Sequence, residues 1–230
     1  MNPSIPARSQ TAFIFDLDGT LLDSVYEHVN AWAHALRDEK IDVPIWKIHR
    51  RIGMSGGLFS AALVRELGHE ISDDTKQRLR DLHAGYYNSV SANVKPLPGA
   101  VELLQHLTAI GIAWAIATSS HIKTAAPVLG KLGVDPTRNI VITRDQTRYA
   151  KPDPDLFLVA AEKLKVDITT CAVVGDAIWD MLAAARARAL GIGFLSGGYG
   201  EQELRESGAY RIFEGPADML DHIDELGARK

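Results

Sequence analysis

Two carboxylates one residue apart, Asp16 and Asp18, stand where an apolar run meets a turn residue in Phe13-Ile-Phe-Asp-Leu-Asp-Gly-Thr20. Phe13, Ile14 and Phe15 have the bulk and length of a fully buried strand, and Gly19 lets the backbone leave a sheet sharply. In extended chain, Asp16 and Asp18 point to the same side. Carboxylates placed that way repel, so a fold that keeps both ionised requires a cation between them, and a hard divalent ion such as Mg2+ suits oxygen donors. If one carboxyl instead keeps a proton, it can act as general acid and base. A plain strand closed by an Asp-Gly turn is the alternative that this stretch leaves open. The alternating ligands and closing Glu of an EF-hand calcium loop do not follow Asp16.

The elements that must hold these groups follow from periodicity. After Leu22, the residues Val25, Val29, Trp32, Ala33 and Leu36 fall on one helical face and predict a helix to about Asp38. Helices are also predicted over 45–51, 58–67 and 74–87, with no strand between residues 23 and 91. From Lys95-Pro-Leu-Pro-Gly99 onward, apolar strands at 113–117, 140–143, 172–174, 192–195 and 210–213 alternate with helices at 100–110, 155–164 and 179–190, and a last helix spans 217–226. Such alternation predicts an α/β fold, a Rossmann-like doubly wound parallel sheet covered on both faces. The core is expected over 1–22 and 92–230, with a helical domain, 23–91, inserted after the first strand.

Sheets of this kind bind ligands at the carboxyl ends of their strands, near the reversal of strand order. Asp16, Asp18 and Thr20 follow the first strand, and Thr118, Ser119 and Ser120 follow 113–117. Gly175, Asp176 and Asp180 follow 172–174, while Lys151 precedes a helix opening near Pro154. Carboxylates, hydroxyls and a lysine are thus expected on one edge.

A chain of 230 residues, 46% hydrophobic, can bury a substantial core. Its net charge of -4 and lack of a basic run give no electrostatic footprint for nucleic acid, which leaves small soluble substrates. The single cysteine, Cys171, excludes an internal disulfide framework, and its apolar neighbours predict a buried thiol. No stretch of signal-peptide character occurs in residues 1–10, and nowhere do 18 apolar residues run together, so a soluble cytoplasmic protein without a membrane partner is expected. Oligomeric state is not encoded in any pattern here.

Four segments, Asp16-Leu-Asp-Gly-Thr20, Thr118-Ser119, Lys151-Pro-Asp-Pro154 and Gly175-Asp-Ala-Ile-Trp-Asp180, resemble in order and placement the motifs of the haloacid dehalogenase superfamily, in its phosphatase branch with a helical cap. The resemblance implies a Mg2+-dependent phosphatase acting on a small phosphorylated metabolite through an aspartyl phosphate. Asp16 is then the nucleophile and Asp18 the general acid and base. Mg2+ is held by the carboxylates of Asp16 and Asp176 and the main-chain carbonyl of Asp18. The Thr118 hydroxyl and Ser119 amide meet the phosphoryl oxygens, Lys151 neutralises them and steadies Asp16, and Asp180 either binds the metal through water or orients Lys151. Taken singly, Thr118 and Ser119 also read as a helix cap, Lys151 as a loop lysine and Asp180 as a solvated helical acid. Relatives that cleave carbon-halogen or carbon-phosphorus bonds lack an acid at the position of Asp18, so its presence implies ester hydrolysis. Ala177 stands where many members have Ser or Thr.

Residues 23–91 resemble the cap that closes over the active site in this branch. Specificity is therefore expected from His28, Arg50, Arg51, Gly53, Met54 and Ser55, the arginines meeting a substrate carboxylate or second phosphate. A solvated basic helix end with a glycine stop is the other reading of this segment. His28 resembles a cap histidine of beta-phosphoglucomutases, which makes a sugar phosphomutase the rival function; however, Gly56 follows Ser55 where those enzymes have arginine. The overall pattern is most similar to phosphoglycolate phosphatase-type proteins, and a catalytically silent phosphate-binding protein is the third reading. Ser196-Gly-Gly-Tyr-Gly200 lacks the Lys-Ser/Thr of a P-loop and is expected to turn beside the active edge.

Overall fold

Phe13 and Phe15 face one side of the first strand, Ala12 and Ile14 face the other, and all four are buried. A strand covered on both faces belongs in the middle of a sheet sandwiched by helices. The protein is described by a computed structural model over residues 11–54, 56–68 and 70–228, so Ser55 lies outside the described residues. In chain order the elements begin with β1 (Ala12–Phe15), β2 (Leu22–Asp23), α1 (Val25–Asp38), α2 (Ile45–His49), α3 (Gly56–Leu67) and α4 (Asp73–Val90). Next come β3 (Lys95–Pro96), α5 (Ala100–Ala109), β4 (Trp114–Ala117), α6 (Ile122–Leu129), β5 (Val141–Ile142) and α7 (Asp155–Leu164). The chain closes with β6 (Cys171–Gly175), α8 (Ile178–Ala187), β7 (Leu190–Phe194), α9 (Glu201–Glu206), β8 (Ala209–Phe213) and α10 (Pro216–Asp221).

The main sheet has six strands in the order β5-β4-β1-β6-β7-β8, and its pairings are parallel. The chain starts at the centre, builds outward through β4 and β5, then returns to the other side of β1 with β6. Strand order therefore reverses at β1, where Phe15 pairs with Ile116 on one side and Val174 on the other. One face packs Phe13, Phe15, Ile116 and Val174 under Leu103, Leu107 and Val128. The opposite face packs Ile14, Ala115 and Val173 against Leu156, Phe157 and Ala183.

The segment between β2 and β3 is helical and has an apolar cluster of its own, with Val29, Leu36, Ile48, Phe59, Leu63 and Leu79. The helical period of Val25, Val29 and Leu36 lays α1 along α4, whose start is capped by Ser72 accepting from the Thr75 amide at 3.1 Å. The chain leaves and re-enters the sheet domain through a short antiparallel ribbon, Leu22 opposite Pro96, continued by a 2.9 Å bond from the Leu97 amide to the Leu21 carbonyl. Two residues per strand are too few for alternation to show in sequence, and Asp23, expected at the head of the helical insert, belongs to this ribbon.

Several other boundaries differ from the sequence expectation by a few residues, and three of the differences have a local cause. α8 stops at Ala187 because Arg188 takes a left-handed conformation, φ 61°, which frees Leu190 to start β7. α9 has Leu204 as its one buried residue, too little to mark a helical face. The last expected helix is divided at His222 into α10 and a 3-10 turn over Ile223–Leu226. Cys171 is buried on β6, and burial pushes its thiol up to about 11. Among the described residues no helix is long and apolar enough to cross a membrane.

Candidate active site

β1 ends against β6 with the Asp16 amide donating to the Val174 carbonyl at 2.8 Å. The chain then turns over the Leu17 carbonyl, which accepts from the amides of Leu21 (2.9 Å) and Leu22 (3.0 Å). Gly19 sits in this turn at φ 85°, and a side chain on it would overlap the Asp176 carboxylate. Gly197 approaches the same carboxylate from the loop after β7, so Asp176 is walled by two glycine backbones. The Thr20 hydroxyl donates to Asp176 at 2.9 Å and fixes its orientation.

Lys151 is wholly buried, with Nζ in ion pairs to Asp16 and, at 2.7 Å, to Asp180. Asp180 is equally buried; its other oxygen accepts from the Ala177 amide at 3.1 Å, which caps α8. One carboxylate oxygen from each of Asp16, Asp176 and Asp180 falls within a 4.8 Å cluster. Three buried carboxylates against one ammonium would carry two excess negative charges if all were ionised. Burial first, opposed by Lys151 and reinforced by Asp180 and Asp18, raises the Asp16 carboxyl to about 7. Asp176 is raised well above the carboxylate range by burial, then by Asp180 and Asp16. The oxygens of Asp180 are committed to Lys151 and α8, so Asp16 and Asp176 are the carboxylates available to a cation. A hard divalent ion fits this donor set and its charge.

Asp18 is held differently. Burial would push its carboxyl up, but His28 together with hydrogen bonds from Ser24 and Ser120 holds it well below the carboxylate range. Ser24 donates to one oxygen at 2.6 Å, Ser120 to the other at 2.9 Å, and His28 Nε2 lies 3.1 Å from the first. His28 is seated in turn by His83, whose Nε2 lies 3.0 Å from its Nδ1, and by Tyr87, whose ring stacks on it at 3.9 Å. Burial, then the charge of His28, lowers His83 well below the usual imidazole range.

After β4, the Thr118 amide donates to the Ile142 carbonyl at 2.9 Å, and Thr118 Oγ1 accepts from the Ser120 amide at 3.0 Å, which leaves its own proton free to donate. The Ser119 amide has no acceptor among the described residues. α6 begins only at Ile122, and its first amide is taken by Asp145 at 2.7 Å, so the Thr118 hydroxyl and Ser119 amide belong to the turn ahead of the helix. The Ser119 hydroxyl donates to the Gly53 carbonyl at 2.9 Å, which ties the helical segment to this turn.

A cavity of about 330 Å³ opens here, bounded by Asp16, Asp18 and Thr118 below and by Gly53, Met54 and Phe59 above. Arg51 also lines it, but its guanidinium is engaged by Glu66 (2.8 Å) and the Lys47 carbonyl (3.0 Å). Arg50 is outside the lining; it pairs with Glu203 and stacks 4.1 Å over the Tyr199 ring. The structure thus gathers Asp16, Asp18, His28, Thr118, Ser119, Lys151, Asp176 and Asp180, brings Gly53 to their rim, and gives both arginines protein partners. The contacts of Ser24 and Ser120 with Asp18 and of His83 with His28 were not among the sequence expectations. Ser120 carried a signal, since it belongs to the hydroxyl run after a strand, whereas His83 has only its place on α4.

The chain matches the family model for haloacid dehalogenase-like hydrolases over residues 10–188. The crystal structure of a hydrolase from Pseudomonas syringae superposes with a TM-score of 0.92 at 52% identity, covering 94% of this chain and 99% of that one. The phosphoglycolate phosphatase of Rhodospirillum rubrum is 30% identical over 232 residues, 94% of this chain and 95% of its own. The N-acetylmuramic acid 6-phosphate phosphatase of Pseudomonas aeruginosa is 26% identical over 218 residues, 93% and 94% of the two chains. With the family model covering most of its length, this chain belongs to the haloacid dehalogenase-like hydrolases.

Proposed function

We propose that this protein is a Mg2+-dependent phosphatase that hydrolyses a small phosphate monoester, an acid phosphate or a sugar phosphate, with Asp16 as the nucleophile. The relatives named as phosphatases support the reaction class. The observation that carries the residue assignment is the buried Lys151, held between Asp16 and Asp180 beside Asp176. A fold tolerates such a charge cluster when its groups serve chemistry rather than packing.

Asp16 attacks phosphorus, the ester P–O bond breaks, and the departing oxygen takes a proton from the Asp18–His28 pair. Water then attacks the phosphoryl group on Asp16 while Asp18 receives its proton, and the aspartyl P–O bond breaks to release phosphate. Ser24 and Ser120 keep the Asp18 carboxylate aimed through both steps. The Thr118 hydroxyl and Ser119 amide receive phosphoryl oxygens, and Lys151 balances their charge. Asp16, Asp176 and the main-chain carbonyl of Asp18 would hold Mg2+. When bound, the ion lowers the repulsion between the Asp16 carboxylate and a dianionic phosphate.

In this reading, residues 1–22 and 92–230 form the catalytic core and residues 23–91 the cap. The cap excludes water and meets the leaving group with His28, Gly53 and Met54; Arg51 shapes the wall through Glu66, and Arg50 fastens the cap to Glu203. The contact of His28 with Asp18 is also what a phosphomutase would use. Phosphate release from a panel of esters, with Mg2+ or with EDTA, tests the assignment. Metal-dependent release supports it; interconversion of sugar phosphate isomers without net release would replace it with the mutase.

A further inference from the structure

The wall of the cavity beyond Asp18 is a continuous stack of rings. Phe59 lies on Trp32 at 4.3 Å between centroids, Trp32 on His83 at 4.3 Å, His83 on His28 at 5.2 Å and His28 on Tyr87 at 3.9 Å. The His28 end touches Asp18, and Trp32, Phe59 and His83 line the cavity outward from it. A leaving group that has just received a proton from Asp18 therefore stands beside this aromatic wall. The cavity volume of 330 Å³ falls at the lower end of the range, roughly 300–1,000 Å³, that encloses whole small-molecule ligands. A two-carbon leaving group would leave the half-buried Trp32 and His83 rings partly against water, whereas a sugar ring would cover them.

The charges around the cavity are unevenly committed. Asp145 accepts from His121 at 2.6 Å and from the Ile122 amide, and both oxygens of Asp81 accept from Gln77 at 3.1 and 3.2 Å. Arg51 is held by Glu66. Arg80, by contrast, has a single hydrogen bond, 2.7 Å to the Gln77 side-chain oxygen. Lys123, in the first turn of α6, has neither a hydrogen bond nor an ion pair among the described residues, yet it lines the cavity. Among the described residues lining the cavity, Lys123 and Arg80 are the two cations that no carboxylate pairs, against one acid, Asp81, that no cation pairs, so the unpaired charge sums to one positive.

Resting on the phosphatase reading, we propose that Lys123, seconded by Arg80, forms an anion subsite at the far end of the Trp32–Phe59–His83 wall. The subsite selects a ring-sized leaving group that carries its own acid, an acidic sugar phosphate rather than a two-carbon acid phosphate. A charge-assisted contact of this kind gives about a tenfold preference in kcat/KM for the ester bearing the acid.

The test uses N-acetylmuramic acid 6-phosphate and N-acetylglucosamine 6-phosphate, which differ by one carboxylate-bearing ether, with fructose 1,6-bisphosphate, phosphoglycolate and 4-nitrophenyl phosphate beside them. The acid-bearing sugar is expected to exceed its acid-free partner by about tenfold, and both to exceed phosphoglycolate. Preference for the bisphosphate instead would give the same subsite a phosphate as its anion. In Lys123→Met the ratio between the two amino sugars is expected to fall to about one, with the change in KM, and Arg80→Met is expected to reduce it in part. A ratio unmoved by either substitution, or a preference for phosphoglycolate, overturns the subsite while leaving the phosphatase intact. No release from any ester, 4-nitrophenyl phosphate included, overturns both.

Discussion

The ammonium of Lys151 stands 2.7 Å from an Asp180 carboxylate oxygen, and neither side chain is exposed to solvent. Removing one partner of a buried pair leaves the other charge desolvated and unanswered. Lys151→Met strands two carboxylates, Asp16 and Asp180, and is expected to lower unfolding free energy by about 3–5 kcal/mol. Lys151→Met with Asp180→Leu should regain part of that stability without regaining turnover. Denaturant unfolding of the single and double variants checks this; strictly additive losses would show that the pair is not coupled.

The hydroxyls on Asp18 make a separate prediction. Ser120→Ala removes a 2.9 Å donor to one of its oxygens and Ser24→Ala a 2.6 Å donor to the other. A hydrogen bond to a charged group contributes about 1.5–3 kcal/mol, so kcat is expected to fall roughly 10- to 100-fold in each, with KM little changed. Losing a donor that stabilises the carboxylate also raises the Asp18 pKa, which moves the acid limb of the kcat profile to higher pH. Unaltered kcat in both variants would remove Asp18 from proton transfer.

Without a cation, the Asp16 and Asp176 carboxyls are both raised, Asp16 to about 7. A carboxyl whose folded pKa exceeds its unfolded value binds more protons when folded, so stability falls as pH rises through the window between the two, from about 4 to about 7. A bound divalent ion needs the same groups ionised and answers their charge. In EDTA, Tm is therefore expected to decline from pH 5 to pH 8, and Mg2+ should raise Tm more at pH 8 than at pH 5. Equal Mg2+ shifts at both pH values would place the ion elsewhere.

Ser119 joins the turn after β4 to the helical segment through its 2.9 Å bond to the Gly53 carbonyl. Ser119→Ala keeps the backbone amide but releases the tie. A neutral hydrogen bond contributes about 1 kcal/mol, which corresponds to a KM increase of about fivefold for a good substrate, with a smaller change for inorganic phosphate binding. Equal losses for both ligands would mean that the side chain serves the phosphate and not the closure.

The core was legible because a parallel sheet buries its strands on both faces, so Phe13 to Phe15 and Cys171 to Val174 stand out as apolar runs, with Asp16 directly after the first and Asp176 one glycine after the second. Residue type shows charge but not its partner. Arg50 and Arg51 were therefore read as free to meet a substrate, while Glu203, 153 residues from Arg50, takes the first and Glu66 the second. The stacked wall is hidden for the same reason. Trp32 and Phe59 lie on different helices, and the spacing within each helix says nothing about their meeting. Short pieces such as β2, β3 and α9 are below the length at which periodicity distinguishes strand from helix.

In the proposed reaction Asp16 carries the phosphoryl group between two displacements. Rapid acid quench of the Mg2+-loaded enzyme turning over a good ester, followed by mass analysis of the peptide spanning Asp16, tests it most directly. A mass increment of one phosphoryl group is expected on that peptide, appearing before steady-state phosphate release and absent in Asp16→Asn, which should also lose turnover. Full-rate hydrolysis by Asp16→Asn, or a phosphoryl group found on another residue, would contradict it.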